Sequence, residues 1–110
     1  MTMTKSERQT ANALKAAMCA LFGKSLDKPQ TFNDGERQHT VTYKQIINAI
    51  PLKYIFYVDS MKVDSDGIWI WLKEQYDFND GGCCGGTCHV DTLKQIKEQF
   101  NYGVIVRQGF

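Results

Sequence analysis

The chain has 110 residues, 43% hydrophobic and 23% charged, with a formal net charge of +1. That length buries about 65% of an unfolded chain's surface, enough for a single domain spanning 1–110 without disulfide staples. The near-neutral charge argues against nucleic acid or an anionic membrane as the main partner.

No segment reaches the apolar length of a bilayer span, and the N-terminus lacks the apolar core of a signal peptide. A cytoplasmic location with no membrane partner is expected, with the four cysteines as reduced thiols or metal ligands. Oligomeric state leaves no trace in the residue order.

Thr4-Lys-Ser-Glu7 has the form of a capping box. An alanine-rich helix is expected after it, with Leu14, Ala17, Met18, Leu21 and Phe22 on one stripe and Gly23 as its stop. Cys19 lies at the margin of that stripe and reads as a buried, inert thiol. Residues 31–41 hold Asp34-Gly35 between short runs suited to strands, so a small accessory hairpin is expected there, with His39 as a surface histidine.

Thr42-Tyr-Lys-Gln45 offers a second capping box, and Tyr43, Ile46, Ile47 and Ile50 form one helical face ending at Pro51. Residues 54–76 then read as two strands rich in aromatic and β-branched residues. The register preferred from sequence uses a three-residue loop, Ser65-Asp66-Gly67, which sets Val63 opposite Trp69, Met61 opposite Trp71, and Asp59 opposite Lys73. Both faces of this hairpin are too apolar to be wetted along their whole length. Either helices cover both, or one is a docking surface.

Asn79 to His89 is rich in glycine and cysteine and reads as a loop. Asp91 is expected to cap a third helix carrying Leu93, Ile96 and Phe100, and Val104-Ile105-Val106 to form a strand buried on both faces. Placing that strand beside the first hairpin strand gives the expected fold. It is α+β, a two-layer sandwich of a three-stranded antiparallel sheet, order 2-1-3, packed with three helices.

Cys83, Cys84, Cys88 and His89 offer three sulfurs and an imidazole within seven residues, a donor set that suits zinc. Adjacent cysteines diverge in extended chain, and structural zinc sites usually draw ligands from two separate places. A second alternative is a cysteine-dependent enzyme, with Cys88 activated at the start of the third helix. A disulfide within the loop is strained or small, and a reducing compartment opposes it. A plain flexible connection is the remaining reading. The glycine pairs lack the lysine of a phosphate-binding loop, and Gly67 comes too early for a calcium loop.

The leading expectation is a small non-enzymatic protein-binding module acting as a regulator or inhibitor of a macromolecular partner. Phage-encoded anti-defence inhibitors of the anti-CRISPR type are one such group of small domains. Its anchors are expected to be Trp69, Trp71, Tyr57 and Phe56, since aromatic side chains dominate interface energetics.

Overall fold

The computed structural model describes residues 2–79 and 85–107. Helix α1, Lys5–Phe22, starts from the capping box at Thr4 and Glu7 and stops at Gly23, whose φ of 52° suits glycine. Only Ala11 of this helix is fully buried, while Leu14 and Leu21 are exposed. The stripe expected to face the core therefore does so only in part.

Strands β1, Gln30–Asn33, and β2, Gln38–Val41, form the small hairpin. It is anchored by buried Phe32 and Val41. Its turn is held by Asp34, whose carboxylate accepts from the Glu36 and Arg37 N–H groups and contacts His39 Nε2 at 2.7 Å. These bonds, His39's foremost, hold the Asp34 carboxyl well below its ordinary value.

Helix α2, Tyr43–Ala49, uses the second capping box and buries Ile46 and Ile47. The chain then departs from the expected strand. Leu52–Tyr57 is a 3-10 helix, and strand β3 begins only at Val58. Leu52, Ile55 and Val58 recur every third residue and all pack in or against the core, the period of a three-residue turn. With apolar residues at both odd and even positions, strand alternation had no competing signal to offer.

Strands β3, Val58–Asp64, and β4, Gly67–Leu72, form the central hairpin in a different register from the expected one. Asp64 pairs with Gly67, so the loop is the two residues Ser65-Asp66. Met61 pairs with Ile70 and Lys62 with Trp69. The Asp66 N–H donates to Asp64 Oδ1 at 2.9 Å, an Asx contact that closes the tighter turn. A bulge lifts Asp59 out of the ladder, so Val58 meets Leu72. The slip of one residue exchanges the face on which each side chain of β3 lies relative to β4.

Strand β6, Thr87–Val90, takes up the last three residues of the expected loop, 87–89, and pairs antiparallel with β4. It gives the sheet order β3-β4-β6 in place of the expected 2-1-3. Strand β7, Val104–Val106, pairs instead with β5, Tyr76–Phe78. Ile105 and Val106 are exposed, so the expectation of burial on both faces does not hold. An ion pair between Arg107 and Asp77, 2.6 Å, ties that ribbon together.

Helix α3, Leu93–Asn101, is capped by Thr92 with Gln95, one residue later than the expected Asp91. The architecture is α+β with a three-stranded antiparallel sheet and two further two-stranded ribbons. Its core joins Ile68, Ile70 and Leu72 of β4 to Ile46 and Ile47 of α2 and Ile96 and Phe100 of α3. No described helix is long and apolar enough to cross a membrane.

Candidate functional site

The inner side chains of β4 are buried in that core, which fixes the opposite face for Trp69 and Trp71. Both tryptophans are half-buried, and neither belongs to the set of apolar side chains packed against the core. Their rings stack with centroids 5.9 Å apart and planes 11° apart. His89, directly opposite Trp69 on β6, stacks on the same indole at 3.7 Å and 6°. Its Nε2 donates to the Asp66 carbonyl at 2.7 Å, which fixes the imidazole over the turn.

Lys62, opposite Trp69 on β3, places Nζ 5.5 Å from the Trp69 ring and 5.6 Å from the Trp71 ring. This is cation–π range for both. Asp64 orders the other end of the group. Its Oδ1 accepts the Trp69 indole N–H at 2.9 Å and its Oδ2 holds Lys62 Nζ at 3.0 Å. The indole hydrogen bond first, then Lys62 and the Asp66 N–H, lower the Asp64 carboxyl from 3.8 to about 2. Two rings, an imidazole and an ammonium thus form one ordered cluster on the sheet's outer face.

Of the four expected anchors, Trp69 and Trp71 come together here. Phe56 and Tyr57 lie apart, on the 3-10 helix, where they line a cleft of about 390 Å³ with Met3, Glu7, Lys53, Tyr54 and Val104. Both pack against the core, and Tyr57 meets Tyr76 edge-on at 4.6 Å. Lys62, His89 and Asp64 were not singled out as partners of the indoles from sequence. Their place follows from the two-residue turn and from the pairing of β6 with β4, neither of which residue order alone specifies.

Of the expected zinc ligands, two lie among the described residues, Cys88 and His89. Cys83 and Cys84 lie outside the described residues. Cys88 and His89 are neighbours on β6 and project to opposite faces, Cys88 into the core at 1% exposure and His89 onto Trp69. One tetrahedral ion does not receive both from this strand. Among the described residues no three or more of His, Cys, Asp and Glu gather so as to hold a metal ion.

The enzyme alternative placed Cys88 at a helix start. It sits within a strand instead, with Thr92 as the cap of α3. Its side chain is buried in the core. No family model, curated protein or solved structure matches the chain.

Proposed function

We propose that this chain is a non-enzymatic protein-binding module, a regulator or inhibitor of a macromolecular partner, and that it docks through the outer face of the β3-β4-β6 sheet. The observation that carries the reading is the pair of ordered, half-buried tryptophans standing outside the core. Large aromatic side chains in that position bring much apolar area to an interface at little rotamer cost. Their mutual stacking and the hydrogen bond from Trp69 to Asp64 hold them in place before any partner arrives, which reduces the ordering cost of association.

The test compares wild-type protein with the Trp69→Ala/Trp71→Ala double variant, both immobilised and exposed to extract of the native host. A partner retained by the wild type and weakened about 30-fold or more in the variant is expected of a central anchor pair. Undiminished retention by a variant whose circular dichroism is unchanged would remove this face from the function.

A further inference from the structure

The outer face carries a charge pattern that specifies what it can dock. Its side chains form rows across the strands: Ser60, Trp71 and Thr87, then Lys62, Trp69 and His89. The turn end carries Asp64 beside Gly67, with Asp91 Oδ1 only 3.1 Å from the position a Cβ on Gly67 would take. Asp66 adds a carboxylate in the turn itself. The acids outnumber Lys62, which Asp64 already pairs at 3.0 Å. A chain of formal charge +1 therefore presents a net negative surface around its two tryptophans.

Lys62 shows what such a surface accepts. Its ammonium lies over both indoles on a side chain that is 51% exposed and can swing into solvent. The ring faces and the Asp64 carboxylate are thus already engaged by a cation from the chain itself. We infer that this face receives an arginine-bearing segment of a protein partner, whose guanidinium takes the place of Lys62 over the indoles and pairs with Asp64, with Asp66 and Asp91 adding negative charge at the same end of the sheet. A guanidinium suits the site better than an ammonium because it is planar, stacks on rings, and meets carboxylates with two parallel N–H groups. A phosphate backbone meets the same carboxylates with like charge. This inference rests on the protein-binding reading above and adds the partner's chemistry to it.

The chain has two tryptophans, both on this face, so intrinsic fluorescence reports the site directly. The probes are an alternating glycine–arginine octapeptide, its lysine and glutamate counterparts, and a decathymidylate oligonucleotide, titrated at low ionic strength where exposed charges are least screened. The expected order is arginine above lysine, with glutamate and oligonucleotide giving no saturable change. Lys62→Ala, which removes the internal competitor, should tighten the arginine peptide about two- to fivefold. Asp64→Asn/Asp91→Asn should weaken it by a similar factor or more.

Preference for the glutamate peptide or the oligonucleotide, no saturable response to the arginine peptide, or indifference to both sets of substitutions would overturn the inference. So would fluorescence changes that track self-association in sedimentation. A native partner lost in the tryptophan double variant but retained equally by Asp64→Asn/Asp91→Asn would sink this inference and leave the protein-binding reading standing.

Discussion

Gly67 is the residue on which the outer face turns. Its φ is 126°, and a Cβ there would stand 2.8 Å from the Val90 carbonyl oxygen. That oxygen is backbone in β6, whose Val90 pairs with Ile68, so it has little room to retreat. Gly67→Ala should therefore destabilise the fold by about 1–3 kcal/mol, read as a lower urea midpoint at unchanged slope. An unchanged midpoint would mean that the turn can relax at no cost. Gly67 was legible as a turn glycine, but its pairing was not. The sequence alone does not separate a turn that contains Gly67 from one that ends before it, and Trp69 changes neighbours with that choice. Cys88 and His89 illustrate the same limit. As residues of a loop they looked like a shared ligand set, and as residues of a strand they point apart.

At the scale of elements, the helices announce themselves. Thr4 with Glu7, Thr42 with Gln45, and Thr92 with Gln95 each close a reciprocal pair of hydrogen bonds at a helix start. Such starts are local and readable in four residues. The first two have no rival cap beside them, while the third follows Asp91, a residue equally suited to a cap. Thr92→Ala should cost about 0.5–2 kcal/mol in urea unfolding, and Thr92→Asp should recover most of it. An equal loss in both variants would assign the effect to packing rather than to the cap. Strands were harder to read. Residues 54–57 have strand-forming side chains but fold as a 3-10 helix because Ile55 reaches the core that way. Thr87–Val90 has only four residues behind a glycine-rich approach, and its pairing with β4 depends on partners distant in sequence.

For the whole molecule, acid exposes which carboxylates the fold favours in their charged form. Asp64 has its folded value lowered from 3.8 to about 2, so its contribution to stability is complete above about 3.8 and fades as pH falls toward 2. Asp34 is shifted in the same direction, by His39 and two backbone N–H groups, and its contribution is lost on the same acid side. Asp64→Asn should flatten the stability curve between about pH 4 and 2 and leave the curve above pH 5 nearly parallel to that of the wild type. Tryptophan emission should change over the same acid interval in the wild type, because Trp69 donates to that carboxylate. A wild-type emission spectrum constant through that interval would detach Asp64 from the indole.

The two indoles, lying 5.9 Å apart with planes tilted by only 11°, are also a pair of closely coupled antennas. Light absorbed by one passes readily to the other at so short a spacing, so the two emit as a coupled pair. The sheet thus carries its own proximity gauge. A guest that pries the rings apart writes its arrival into their emission, with no dye attached.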